Sequence, residues 1–410
     1  MTRRVLLLIP TTSYKARDFL EAAERMQVQV VVGSDRRQAL EDAAPGNTLT
    51  LDFTDLTSSL ERIVAEHRQE PFCSVLGVDD EATILAAETA SALGLSHNPA
   101  ASVRATRDKY ETRRRISAAG LRSPWFFRVT REGGAEQAAA RARYPCVLKP
   151  VCLSASRGVI RADDRDQLLS AFERIASILR GPDVQKKGGD IEHVLVEEYL
   201  PGQEVALEGL LDRGRLAALA LFDKPDPLEG PTFEETIYVT PSRLPDSLQS
   251  AIVEQTAQAC RALGLREGPV HAELRVRDEQ CWLLEVAART IGGLCSRVLR
   301  FGTGLSLEEV VLQHALHEES PSIDRERAAA GVMMIPVPRT GVLRDVVGLE
   351  QARSQPLVHE VTLTTHRGAR LVPPPDGDRY LGFIFARGAE PQAVEDALRR
   401  AHAQLSFAVD

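Results

Sequence analysis

Val270-His271-Ala272-Glu273-Leu274-Arg275-Val276 and Cys281-Trp282-Leu283-Leu284-Glu285-Val286-Ala287-Ala288-Arg289 are two alternating segments joined by a polar turn from Arg277 to Gln280. Strand side chains point to the two faces in turn, so His271, Glu273 and Arg275 share one face and their apolar neighbours take the other. A hairpin symmetric about Glu279 sets Glu273 directly opposite Glu285. Opposed residues on an antiparallel pair have Cβ atoms about 4.5 to 5.5 Å apart, and like charges placed there destabilise the pair. Two such carboxylates need a cation or a shared proton. Magnesium suits them, because it takes oxygen ligands at about 2.0 to 2.1 Å and joins carboxylates to substrate phosphates. A surface hairpin with two solvated glutamates is the plain alternative, and only the neighbouring segments weigh against it.

Upstream, Tyr144-Pro145-Cys146-Val147-Leu148-Lys149-Pro150 ends an apolar strand on a lysine. An unpaired ammonium is costly to bury, and a bound phosphate would relieve that cost. The loop Ser154-Ala155-Ser156-Arg157-Gly158-Val159 follows, with small residues whose N–H groups and hydroxyls could close over phosphate oxygens. Val194 to Tyr199 is a further apolar strand, turned by Pro201-Gly202 into a second strand that begins at Glu204.

Outward from this region the chain divides in three. Val5 to Ile9 is apolar, Lys15 to Arg25 has helical spacing, and Val28 to Val32 is apolar again, a βαβ pattern that predicts a parallel sheet. With helices at Leu60 to His67 and Ala82 to Leu93 around a strand at Ser74 to Val78, residues 1–105 read as a doubly wound α/β unit. It has no G-x-G-x-x-G turn, so a dinucleotide site is not expected, and its role is support and substrate lining. Residues 106–317 read as α+β, with 106–190 as a lid lobe containing a polar loop over Gly181 to Asp190 and 191–317 as a catalytic lobe. Residues 318–410 carry short strands, the Pro373-Pro374-Pro375 loop and a helix from Glu390 to Leu405, which predicts a small α+β cap.

Fifty basic against 58 acidic side chains give a formal net charge of -8, which argues against a nucleic-acid partner, since duplex binding needs a cationic surface. The apolar run after Met1-Thr2-Arg3-Arg4 is too short for a signal peptide or a membrane span, so a cytoplasmic location is expected. The six cysteines form no close pair of the zinc or redox kind.

Taken in order, Asp108-Lys109, Val147-Leu148-Lys149-Pro150, Ser154 to Gly158, Glu197-Glu198-Tyr199-Leu200-Pro201-Gly202-Gln203-Glu204, His271-x-Glu273-x-Arg275 and Glu285-Val286-Ala287-Ala288-Arg289 resemble the ATP-grasp superfamily of carboxylate–amine ligases. The resemblance spans about residues 106–317. Asp223-Lys224-Pro225, the Gly230 to Thr236 segment, Gly292-Gly293 and Arg379-Tyr380-Leu381-Gly382-Phe383 look most like the L-amino acid ligase branch, whose bacilysin-type members make dipeptides.

The resemblance implies ATP and Mg²⁺, with Mn²⁺ as the alternative ion, together with small-molecule carboxylate and amine substrates and a homodimer as a candidate assembly. By it, Lys109, Lys149 and Lys224 contact the nucleotide, and Ser154, Ser156 and Gly158 form a lid over its phosphates. Glu197, Glu198, Tyr199 and Leu200 offer backbone groups to adenine, and Glu204 takes the ribose hydroxyls. Glu273 and Glu285 ligate the metal, and Arg289 stabilises the acyl phosphate and the transferring phosphoryl group; for the tetrahedral oxyanion of amine attack, Arg289 and the N–H groups of Gly292 and Gly293 are the candidate donors. Glu208, Glu234 and Glu235 are candidates to pair with a substrate ammonium, against the plain reading of solvated acids. One position departs from the superfamily's Glu-x-Asn-x-Arg: Ala287 stands where asparagine would ligate a second metal.

Two other readings stay open: another ATP-grasp ligase, such as one of purine biosynthesis, and an ATP-binding regulatory protein without turnover. No segment resembles a biotin carrier. His314 and His317 beside Glu318 and Glu319 read as a solvated helix face rather than a metal site. His271-x-Glu273 lacks the downstream P-C-x-x-C of zinc deaminases, and there is no Walker A, G-x-S-x-G or H-E-x-x-H.

Overall fold

The protein was studied as a computed structural model, which describes residues 3–36, 47–186, 188–318 and 323–410. Lys187 and Glu319, which belong to segments discussed above, lie outside them.

The N-terminal unit is a parallel sheet ordered Thr48–Thr50, Gln29–Ser34, Arg4–Leu8, Ser74–Gly77. Its strand Arg4–Leu8 is continuously apolar from Val5 to Leu8 because both faces are buried. Leu6 and Leu8 pack with Ile63, Leu85 and Ala86 of the helices Leu56–Gln69 and Asp80–Leu93. Val5, Leu7 and Ile9 face the other way, into a core shared with Phe301, Val310 and Phe383. That shared core seats the unit on the remainder of the chain.

A four-stranded antiparallel sheet follows, ordered Phe126–Thr130, His193–Glu198, Cys146–Pro150, Ile160–Ala162 and backed by the helices Ala135–Arg141 and Arg165–Leu179. The strand His193–Glu198, assigned from sequence to the catalytic lobe, thus sits in the middle of the lid sheet. Its local pattern could not say so, because pairing partners 44 to 52 residues apart, such as Pro150 and Val194 or Cys146 and Glu198, leave no periodic trace. Within the polar loop Gly181 to Asp190, Pro182–Gln185 makes one helical turn with proline at its start.

The main sheet has eight antiparallel strands in the order Gln280–Ala287, Gly268–Arg277, Gln203–Asp212, Arg215–Lys224, Ile237–Thr240, Ala329–Ile335, Gly382–Gly388, Val358–Leu363. The last three come from the region expected to be a separate cap. Every residue of Ala329–Ile335 is buried, and the strand pairs with Ile237–Thr240 on one side and Gly382–Gly388 on the other. Among the described residues, Arg370–Leu371, Gly341–Val347 and Ser406–Val409 form a small sheet of their own. Among the described residues no helix is long and apolar enough to cross a membrane, and all six cysteines are free.

Candidate active site

The turn of the carboxylate hairpin is two residues long. Asp278 and Glu279 both have positive φ, 50° and 57°, so Arg277 pairs with Gln280 as in a type I′ turn. Carried on unbroken, that register would set Glu273 opposite Leu284. A β-bulge between Glu273 and Leu274 shifts the pairing by one and brings Glu285 opposite Glu273 after all. The symmetric turn assumed from the sequence was off by half a residue, and the bulge restored the predicted pair.

Both glutamates line a single cleft of about 1460 Å³ together with Lys109, Lys149, Ser154, Ser156, Glu197, Glu198, Tyr199, Leu200, Glu204, Glu235, Arg289, Gly292 and Gly293. Lys15, Asp79 and Asp80 of the N-terminal unit line it too, as do Asp378, Arg379 and Tyr380 near the C-terminus. All three parts of the chain therefore contribute walls. Glu285 carries an ion pair with Lys109 at 3.3 Å, and Lys109 also donates to the Leu153 carbonyl at 2.6 Å. Two hard oxygen donors facing a cleft with lysines beside them fit a magnesium ion. Ala287, buried opposite His271, offers no ligand atom.

Lys149 did not need a phosphate to be buried. Its ammonium pairs with Glu197, which also takes Arg113 Nε at 2.8 Å and Nη2 at 3.3 Å. Burial pushes the Lys149 ammonium below its ordinary value, against the pull of Glu197. Burial alone would raise the Glu197 carboxyl, but Arg113 and Lys149 outweigh it and hold it at about 2. A depressed carboxyl stabilises the fold above its unfolded value of 4.5, and that stabilisation is lost as pH falls from there towards about 2. The stability gap between wild type and Glu197→Gln in urea unfolding should therefore narrow by roughly 2 kcal/mol between pH 5 and pH 2.5. A gap that stays constant would refute the ion pair.

The strand end Glu197 to Leu200 presents few free backbone donors. Glu198 N–H donates to Trp125 at 3.0 Å and Tyr199 N–H to Pro145 at 3.3 Å, whereas Leu200 N–H has no acceptor among the described residues. Ser154 and Ser156 line the cleft, but Gly158 does not. Gly158 N–H is tied to the Pro375 carbonyl at 2.8 Å, and with φ at +75° a Cβ there would lie 2.7 Å from the Pro150 ring. Its requirement is steric.

Lys224 corrects another expectation. It lies outside the cleft lining, and its ammonium sits among three carboxylates: Glu204 at 2.7 Å, Glu235 at 2.5 Å and Glu273 at 3.0 Å. Register explains this, since Lys224 pairs with Glu204 across the strands Arg215–Lys224 and Gln203–Asp212. Glu204 also accepts from Arg275 Nε at 3.0 Å. Burial and the neighbouring Glu273 push the Glu235 carboxyl up to about 7 despite Lys224. Glu234 and Glu208 do not line the cleft. Glu208 is fully buried, with one oxygen on His271 Nδ1 at 3.1 Å and the Ile291 N–H at 3.0 Å, so it braces the wall rather than reaching a substrate.

Arg289 donates through Nη2 to Asp80 at 2.8 Å and through Nη1 to the Thr290 carbonyl at 2.9 Å. Beyond Ile291 the N–H groups of Gly292 and Gly293 have no acceptor among the described residues. Gly293 has φ of +59°, and a Cβ there would meet the Phe383 ring at 2.9 Å. Asp80, Arg113 and Lys15 were missed from the sequence. A signal existed for Asp80: Asp79-Asp80 follows a parallel strand, where open α/β sheets place ligands.

Family models match the chain as an ATP-grasp N-terminal domain over residues 20–97, an ATP-grasp domain over 142–298 and an L-amino acid ligase C-terminal domain over 333–410. The crystal structure of an L-amino acid ligase from Bacillus licheniformis aligns over 100% of both chains, with a TM-score of 0.86 and 28% identity. The uncharacterized protein y4rH of Sinorhizobium fredii is 23% identical over 99% of this chain and 83% of its own length. The alanine–anticapsin ligase of Bacillus subtilis is 28% identical over 55% of this chain, and the match spans half of that ligase. With the superfamily's N-terminal and central domains and the C-terminal domain of the L-amino acid ligases in one chain, this protein is a member of the ATP-grasp superfamily, most like its L-amino acid ligase branch.

Proposed function

We propose that the chain is an ATP- and magnesium-dependent ligase that activates the carboxylate of one amino acid as an acyl phosphate and joins it to the amine of a second, releasing ADP and phosphate. The observation that carries this reading is the convergence of Lys109, Lys149, Glu273, Glu285 and Arg289 on one cleft walled by all three parts of the chain. Leu200, whose N–H is unspent, offers a donor to the adenine edge. Lys109, which donates to the Leu153 carbonyl at 2.6 Å, and Lys149 line the same cleft as Ser154 and Ser156, whose loop would close over the phosphates. Glu273 and Glu285 would hold magnesium, which when bound neutralises and orients the phosphate oxygens.

Phosphoryl transfer to a carboxylate spreads charge over oxygens, so positioning and fixed cations do most of the work. Arg289 supplies such a cation. When the amine attacks the acyl phosphate, the oxyanion needs donors, and the free N–H groups of Gly292 and Gly293 meet that requirement. Glu235 lines the cleft and is the best placed of the three acids to meet a substrate ammonium.

Phosphate release from ATP over pairwise mixtures of amino acids tests the reading. The expected result is phosphate and ADP for a subset of pairs, with a product whose mass is that of the pair less one water. Nucleotide binding with no phosphate from any pair would instead favour a binding protein without turnover, the reading that Ala287 motivates.

A further inference from the structure

Asp80 is the first residue of the helix Asp80–Leu93, in the N-terminal unit, yet it reaches the wall of the cleft that bears Arg289. Its carboxylate is nearly buried between two guanidinium groups: Oδ2 accepts from Arg289 Nη2 at 2.8 Å, and Oδ1 lies 3.2 Å from Arg107 Nη1. Lys15, fully buried beside them, pairs with Asp79 at 3.1 Å and donates to the Thr290 carbonyl at 3.3 Å and hydroxyl at 3.2 Å. The N-terminal unit thus grips both Arg289 and the residue after it. Burial would raise the Asp80 carboxyl, but Arg289 and Arg107 outweigh it and hold it well below the usual carboxylate range. It is a fixed anion.

An arginine that stabilises developing charge works best when its guanidinium is already oriented, since a long side chain otherwise loses rotamer freedom at the reacting centre. The catalytic lobe itself offers Arg289 the wrong anchor. Glu285 lies four residues earlier, near enough to act on Arg289 electrostatically, and a guanidinium paired to it would be turned towards that carboxylate instead of the transferring phosphoryl group. Asp80 competes with Glu285 for the arginine and leaves Glu285 to Lys109, its ion-pair partner at 3.3 Å.

We propose that Asp80 is a positioning residue: it holds Arg289 aimed at the transferring phosphoryl group and away from Glu285, so that the N-terminal unit completes the catalytic machinery of the other lobe. This rests on the ligase reading for the role of Arg289. The test is a double-mutant cycle on nucleotide preference, which needs no knowledge of the amino acid substrates.

Calorimetric affinities for MgADP and for the magnesium complex of AMP-PNP, a non-hydrolysable ATP analogue, are measured for wild type, Asp80→Asn, Arg289→Gln and the double variant. Arg289→Gln should lower the preference for AMP-PNP over ADP by about tenfold or more, the scale of a hydrogen bond to a charged group. Asp80→Asn should lower it by at least about threefold with ADP affinity held within about twofold, and the double variant should match Arg289→Gln alone. A general loss of folding would weaken both nucleotides together. If Asp80→Asn does not fold, Asp80→Glu is read instead: a lowered preference that does not add to that of Arg289→Gln in the double variant supports the assignment, and an unchanged preference or a fully additive loss overturns it. An unchanged preference in Asp80→Asn, or a loss that adds in full to that of Arg289→Gln, overturns it as well. Failure of the ligase reading shows separately, as nucleotide binding without phosphate release.

Discussion

Arg289→Gln should lower kcat for phosphate release by about a hundredfold to a thousandfold while the affinity for ADP changes little, because a fixed donor aimed at developing charge is worth far more in the transition state than in the ground state. The side chain lines the cleft and is tied to Asp80 and the Thr290 carbonyl, so its orientation is set before any substrate arrives. Removing it leaves Asp80 with Arg107 as a remaining cation, which limits the cost of an unpaired buried carboxylate. Thermal unfolding of the variant separates that structural cost from the kinetic one. A variant with near-wild-type kcat would remove Arg289 from the reaction.

Glu285→Gln should reduce magnesium-dependent turnover by at least about a hundredfold and raise the magnesium concentration needed for half-maximal rate, with the far-UV circular dichroism spectrum unchanged. Of the two opposed glutamates this is the cleaner one to replace. Glu285 is 28% exposed and its ion pair is with Lys109. Glu273 is enclosed by Lys224 at 3.0 Å, the His271 Nε2 at 3.5 Å and the Tyr238 hydroxyl at 3.5 Å, so its loss would disturb the packing of three charged strands at once. Turnover of Glu285→Gln equal to wild type across a magnesium titration would contradict the assignment of the metal-holding pair.

Both predictions depend on positions that were legible in the sequence for different reasons. Glu273 and Glu285 could be paired because alternation and a short polar turn constrain a hairpin from within. Arg289 could be named only through the order of motifs. What surrounds them could not be read. Asp80 lies 209 positions from Arg289, and Arg113 lies 84 from Glu197. No local pattern records such pairs.

The same division runs through the rest of the chain. Composition, periodicity and motif order determined a parallel α/β unit at the N-terminus, the strand that ends in Lys149, the carboxylate hairpin and the superfamily, since each is written in residues close together in the chain. The tertiary structure alone decided that His193–Glu198 joins the lid sheet, that strands after residue 328 extend the main sheet, and that Lys149 and Lys224 are neutralised by Glu197 and by three carboxylates respectively. The physical reason is that strand pairing and buried charge compensation are settled by whichever partners folding brings within a few ångströms, and the sequence states the need for a partner without stating where it lies.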